Sequence, residues 1–235
     1  MIQFFAPDIE ETLTLPEGES AHCSRVLRHK EGDEIYVTDG KGHRFLCEIT
    51  HSHPSHTKVE IKKREDSESE RNYKLTLAVA PTKNSERLEW MLEKAVEIGV
   101  DEVVLLKCQR SERKFQKADR LKKIMISAMK QSLSTELPVL TDLEEFKHFT
   151  TKDVDGQKFF GYCSDAYPRK ELVKECLPGG NVTIMIGPEG DFTQEEVELA
   201  LKEGFLPVTF GEKRLRTETA GVFAVSAVNI INQMK

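Results

Sequence analysis

Apolar positions recur at every second residue over three short runs near the start of the chain, Glu34–Thr38, Arg44–Thr50 and Lys58–Lys62. Asp39-Gly40-Lys41-Gly42 and the Pro54-containing segment His51–His56 separate them. Alternation punctuated in this way predicts a small β-rich domain built from hairpins. The stretch Lys62–Arg71 carries no apolar residue and predicts a domain boundary. Beyond Tyr73 the period lengthens. Lys74–Ala80 predicts a buried strand, and Leu88, Met91, Leu92 and Ala95 share one face of a helix over 85–98. Gly99 followed by Val100 suits the cap of that helix. The pattern then predicts a strand at 102–106, a basic helix over about 117–134, and a strand at 158–162. A helix at 168–176, a strand at 181–186, a helix at 194–203, a strand at 206–210 and a helix from Thr217 follow. Strands alternating with helices predict an α/β class with a mostly parallel sheet covered on both faces.

The last helix differs from the others. Apolar residues from Ala220 to Ile231, among them Val222, Phe223, Val225, Val228 and Ile230, cover nearly its whole circumference. Such a helix is buried on all sides, either as a central core element or, as we expect, by a second subunit in a homodimer. In helix 85–98, Trp90 falls opposite the apolar face beside Glu93, Lys94 and Glu97, which predicts a contact surface or a local packing role.

Composition is that of a soluble globular protein, 38% apolar and 31% charged over 235 residues. The longest apolar stretch, Val222–Ile231, is interrupted by Ser226 and Asn229 and is too short to span a bilayer. Met1-Ile2-Gln3-Phe4-Phe5 lacks the pattern of a secretory signal. Five cysteines without CxxC spacing predict neither a disulfide framework nor a zinc site, and fit the cytoplasm. A net charge of −6 argues against a nucleic-acid partner, but the distribution changes the picture. Between Lys107 and Lys123 eight basic residues, Arg110 and Arg113 among them, stand against two acids. Arg25, Arg28 and Lys30 form a second basic group with His22 and His29. Each patch alone reads equally well as a solvated face; two of them favour RNA.

Two strand ends carry candidate chemistry, because ligands of open α/β sheets sit beyond the carboxyl ends of the strands. At the first, Ile184-Met185-Ile186 runs into Gly187-Pro188-Glu189-Gly190-Asp191, and a helix opens at Thr193 with Glu196 at capping-box spacing. A tight strand–helix turn accounts for part of this pattern. A dinucleotide site would need GxGxxG and an anion cradle, whereas Glu189 and Asp191 repel phosphate. A cationic, phosphate-free ligand such as S-adenosylmethionine fits better. At the second, Val208-Thr209-Phe210 runs into Gly211, a cationic loop, and Thr217-Glu218-Thr219 at a helix start. Arg216 opposes the helix dipole there, which predicts a partner, either an acid such as Glu189 or a substrate.

These residues resemble the small-subunit ribosomal RNA methyltransferase E family, a branch of the SPOUT methyltransferases. The resemblance is carried by His22–Arg28, Gly32-Asp33, Asp39-Gly40, Lys83, Glu89-Trp90, Glu93–Val100, Gln131-Ser132 with Pro138, Ile186–Gly190 and Leu215–Ala220. It implies a PUA-like RNA-binding β-barrel over 1–68, and a SPOUT methyltransferase domain with a deep trefoil knot over 72–235. It implies cofactor loops at 160–164, 186–192 and 210–217. There Tyr162, Ile186, Gly187, Glu189, Gly190, Phe210, Gly211, Leu215, Thr217 and Ala220 would bind S-adenosyl-L-methionine, with no metal. It further implies an obligate homodimer with a composite active site, acting on N3 of a uridine in the decoding region of 16S ribosomal RNA or of the assembling small ribosomal subunit. Leu133 and Ser134 stand where the family carries a basic residue, and Arg214 where it is apolar.

Ionising uracil N3, if its pKa lies two to three units above neutrality, costs about 3–4 kcal/mol. Arg216 is the candidate for stabilising the resulting oxyanion, and Glu189 or Glu218 would take the proton or position Arg216. Arg25, Arg28, Lys30, Lys83, Arg110 and Arg113 are the candidate RNA contacts. The alternatives are a methyltransferase of another RNA base and a non-catalytic RNA-binding accessory protein. A nucleotide-dependent oxidoreductase lacks its phosphate cradle here.

Overall fold

The computed structural model describes residues 2–67, 71–112 and 118–234. The chain forms two compact units, Met1–Glu70 with Ile126–Leu137, and Arg71–Met125 with Pro138–Lys235.

The first unit contains β1 (Gln3–Phe5), α1 (Ile9–Thr12), α2 (Glu17–Ala21), a π-helical turn over His22–Val26, β2 (Glu34–Thr38), β3 (His43–His51) and β4 (Lys58–Asp66). The strands form one sheet in the order β1-β2-β3-β4, with β1 parallel to β2 and the other pairs antiparallel. Inward alternate residues, among them Phe4, Val37, Phe45, Cys47 and Ile49, are fully buried in its core. β4 runs on to Asp66, past the point where hydrophobic alternation stops. On this edge strand, Lys62 pairs with Glu48 and Glu60, Lys63 with Glu65, and Arg64 with Asp66 and Glu10. Ladder bonds and charge pairs thus carry a segment that apolar periodicity alone assigns to a boundary. The segment Ile126–Leu137 belongs to this unit: Gln3 donates to the Ser134 carbonyl (2.7 Å), Arg44 to that of Leu133 (2.9 Å), and Lys130 pairs with Glu19 (2.6 Å).

The second unit begins with β5 (Leu75–Val79), α3 (Ser85–Ile98), β6 (Glu102–Lys107), the part of α4 (Ala118–Gln131) up to Met125, β7 (Val139–Glu145), α5 (Phe146–Thr150) and β8 (Gln157–Gly161). It continues with β9 (Lys170–Glu171), α6 (Leu172–Glu175), β10 (Val182–Ile186), α7 (Gln194–Lys202), β11 (Leu206–Thr209) and α8 (Thr217–Gln233). The seven strands run β7-β6-β5-β10-β8-β11-β9, and every pairing is parallel. All of β10 is buried, as a central strand covered on both faces requires. The Asn84 side chain accepts from Glu86 N–H at the start of α3, and Gly99 ends that helix at φ +113°. Thr193 and Glu196 form the expected capping box on α7.

Two features depart from expectation. The helix expected over 168–176 shrinks to Leu172–Glu175, because Lys170 and Glu171 pair with Val208 and Thr209 as a strand. β7 and α5 occupy a stretch with no clear apolar period: β7 is an edge strand of half-exposed, acid-rich residues. Within one chain, α8 is buried along one face. Its inner face packs against α3, β5 and β10, and Gly221 permits this, since a Cβ there would lie 2.4 Å from Met91 Sδ. Phe223 and Ile230 are exposed along the other face, with Val222, Ser226 and Ile231 half-buried. Among the described residues no helix is long and apolar enough to cross a membrane.

Candidate functional site

β10, β8 and β11 are neighbours in the sheet, so their carboxyl ends at Ile186, Gly161 and Thr209 lie together. The loops leaving them line a cleft of about 240 Å³, partly open to solvent. Ile186, Val208, Leu215 and Ala220 supply apolar wall, and Gly161, Gly187 and Gly211 supply backbone. Asp191 and Glu212 bring acid, and Arg169, Lys213 and Arg214 bring base. Gly161 is a requirement of this packing: a Cβ there would sit 2.6 Å from Phe210 Cε2. Gly211 turns the third loop at φ +112°, a conformation that L side chains resist.

Hydrogen bonds tie the three loops to one another. Asp191, at φ +61°, accepts from Cys163 N–H through Oδ2 (3.1 Å) and from Phe192 N–H through Oδ1 (2.9 Å). Thr217 donates its hydroxyl to the Gly187 carbonyl (3.1 Å), and Tyr162 N–H reaches the Val208 carbonyl (3.1 Å). Arg169 donates to the Tyr162 carbonyl (3.1 Å) and pairs with Asp165. Desolvation, reinforced by the Asp191 carboxylate, holds the Cys163 thiol above its ordinary pKa.

Of the residues expected to bind a cofactor, Tyr162, Ile186, Gly187, Phe210, Gly211, Leu215, Thr217 and Ala220 line this cleft. Glu189 and Gly190 do not. Glu189 is exposed and its carboxylate accepts from the backbone N–H of Lys83 (3.0 Å). The Gly190 carbonyl accepts from Arg110 (2.8 Å), whose side chain packs 3.4 Å from where a Gly190 Cβ would lie. Glu189, one of the two partners weighed for Arg216, forms no ion pair with it among the described residues. Arg216 occupies the N-cap position of α8, exposed, with no ion-pair partner among the described residues. Glu218 is buried in the first turn of α8 and meets Arg87 of α3 at 3.7 Å. An acid in the first turn of a helix is favourably placed in the dipole.

Among the expected RNA contacts of the second unit, Lys83 and Arg110 are exposed at the rim of the Gly187–Asp191 loop, with Lys83 Nζ 2.9 Å from Glu112. In the first unit Arg25, Arg28 and Lys30 are exposed on and just after the π-helical turn, with Arg28 at φ +59°. Arg113, with Lys114 and Lys117, lies outside the described residues. Arg169 lines the cleft although the pattern placed it in a helix, and no periodicity could have revealed it. Glu10 also converges on Asp39 and His43, with ligand-type atoms within 4.8 Å of one another in the first unit. The Asp39 carboxylate is already engaged there by Lys41 N–H, His43 N–H and the His43 ring.

Residues 69–229 match the RNA methyltransferase domain model, and residues 15–62 match the RNA methyltransferase PUA domain model. The chain is 28% identical to the ribosomal RNA small subunit methyltransferase E of Bacillus subtilis, with 97% of this chain and 94% of that one covered. A crystal structure of a probable rRNA-methyltransferase from Porphyromonas gingivalis superimposes with a TM-score of 0.95 at 42% identity, covering 100% and 99% of the two chains. A ribosomal RNA small subunit methyltransferase E from Neisseria gonorrhoeae, solved bound to S-adenosyl methionine, gives a TM-score of 0.88 at 26% identity over 99% and 98%.

Proposed function

The chain belongs to the RNA methyltransferase family, and from that premise we propose that it methylates N3 of a uridine in the decoding region of 16S ribosomal RNA, using S-adenosylmethionine, in the cytoplasm. The observation that carries this reading is the cleft between the loops after β8, β10 and β11. Its residues fit such a donor. Ile186, Leu215 and Ala220 offer an apolar lining, Gly187 and Gly211 leave backbone open to a nucleoside, and Asp191 and Glu212 complement a cation. When bound, S-adenosylmethionine supplies a methyl group activated by its sulfonium.

The remaining chemistry falls to this chain's own side chains. Uracil N3 must lose its proton, at a cost of about 3–4 kcal/mol near neutrality if its pKa lies two to three units higher. Arg216 meets that need: it is exposed beside the cleft-lining residues Leu215 and Thr217, its guanidinium is always charged, and no acid of the described residues competes for it. Glu189 is the accessible acid for the N3 proton, anchored by Lys83 N–H. Glu218, beneath Arg87, holds the first turn of α8.

The exposed stripe of Phe223 and Ile230 on α8 supports a homodimer through that helix, and an apolar face of this kind costs free energy while it faces water. A trefoil knot accounts for the path of α8. The helix leaves from β11, on the far side of β8, yet packs on β5 and β10 while Thr217 bonds the loop after β10. Arg25, Arg28, Lys30, Lys83 and Arg110 would track RNA phosphates.

The test is Arg216→Ala, assayed for methyl incorporation into small-subunit RNA and for S-adenosylhomocysteine affinity. Turnover is expected to fall by about a hundredfold or more, the loss typical of one oxyanion donor, with cofactor-product affinity within a few fold. Surviving turnover overturns the role of Arg216. Binding of RNA without any cofactor affinity would mark a non-catalytic RNA-binding protein.

A further inference from the structure

One pair of rings joins the cleft to the exposed face of α8. Phe210 lines the cleft, and its edge lies over Gly161, where a Cβ would stand 2.6 Å from Cε2 and 3.0 Å from Cζ. Phe223 of α8 also neighbours that ring, with ring centroids 5.7 Å apart and planes inclined by 48°. This is an attractive aromatic geometry. Phe223 is itself 37% exposed and is not among the residues lining the cleft. Phe210 thus lies close to both the Gly161 backbone and a surface aromatic. Remove the surface aromatic, and nothing of equal bulk on α8 is paired with the Phe210 ring among the described residues.

We propose that Phe223 is a positioning residue of the methyl-donor cleft: it fixes the Phe210 ring against Gly161 and so sets the affinity of the cleft from the exposed face of α8. This rests on the reading of the cleft as the S-adenosylmethionine site. It explains why an aromatic occupies a half-exposed position on α8, where any apolar residue would serve for association alone. It also gives Gly161 and Phe223 one shared target. A methyl group at position 161 displaces the ring, and truncation at 223 releases it.

The experiment is titration calorimetry of the full-length protein with S-adenosylhomocysteine, with the assembly state of each variant followed by sedimentation. Phe223→Ala is expected to weaken affinity by about three- to tenfold, the size of one aromatic pair, and Phe223→Tyr, which keeps the ring, to restore it to within twofold. Ile230→Ala thins the same apolar stripe without touching Phe210 and is expected to leave affinity unchanged. Gly161→Ala is expected to weaken binding on its own. The double variant Gly161→Ala/Phe223→Ala should be no weaker than the worse single variant, because both act through one ring. Equal losses in Phe223→Ala and Ile230→Ala would show an effect of assembly alone and overturn the proposal. So would a double variant whose losses multiply, or Phe223→Ala binding like the wild type. If the wild-type protein itself shows no affinity, it is the reading of the cleft that fails.

Discussion

Asp191 offers the sharpest perturbation of the cleft, because two separable costs meet in one residue. Its carboxylate accepts from Cys163 N–H, at 3.1 Å, and so ties the loop after β8 to the loop after β10. Its backbone sits at φ +61°, which aspartate tolerates better than most L residues and glycine tolerates best. Asp191→Ala leaves the Cys163 amide without its charged partner, a loss of about 1–3 kcal/mol. It also places a Cβ without compensating polarity in the left-handed region, roughly a further 1 kcal/mol relative to glycine. Asp191→Gly suffers only the first cost and Asp191→Asn keeps an oxygen acceptor. In calorimetry with S-adenosylhomocysteine the affinities should therefore rank wild type, then Asn, then Gly, then Ala, with about fivefold between Gly and Ala from the backbone difference at 1.4 kcal/mol per tenfold. Urea unfolding of the same set should show the same order if the loops lose their tie in the free protein. An alanine variant within twofold of wild type, or a glycine variant no better than alanine, refutes the argument.

Three further outcomes follow from named contacts. Four of the five cysteines are buried, with burial pushing Cys23 and Cys176 up to about 11 and Cys47 to about 12. A thiol reagent at pH 8 should therefore label only Cys163 in the folded protein, and slowly, since desolvation and Asp191 keep that thiol protonated to higher pH; Asp191→Asn should speed the labelling. Asn229 is buried and receives Tyr73 O–H (2.8 Å) while donating to the carbonyls of Gly99 (3.1 Å) and Val225 (2.9 Å). Asn229→Leu orphans those groups and should lower the unfolding free energy by about 2–4 kcal/mol, read from urea denaturation; a change below 1 kcal/mol contradicts the network. RNA affinity should fall steeply with salt, and replacing Arg25 and Arg28 by alanine should reduce the log–log slope by roughly one to two; an unchanged slope removes them from the interface.

Much of this architecture was legible in the chain because hydrophobic period and turn chemistry agree locally. The strand at Val182–Ile186, the capping box of Thr193 and Glu196, and the glycines at 187 and 211 each announce themselves within a few residues. Sheet order did not, since nothing local makes β10 lie between β5 and β8. Arg169 was hidden for the same reason: the pairing of Lys170 and Glu171 with β11 overrides a helical pattern and turns the preceding arginine into the cleft. Sequence spacing left two partners open for Arg216, an acid or a substrate, and could not show that Glu189 receives the Lys83 amide. The β7 strand escaped notice because an edge strand of half-exposed residues does not need the apolar period on which such reading depends.

Methylation of uridine at N3 in small-subunit RNA, proposed above for this cleft, is open to a direct test. Incubating the purified protein and S-adenosylmethionine with small ribosomal subunits from cells that lack it, then digesting the RNA to nucleosides for mass spectrometry, tests this directly. The account predicts one N3-methyluridine per subunit, located in the decoding region and absent with Arg216→Ala. A methyl group on a different base, or none at all from a protein that binds the cofactor, would contradict it.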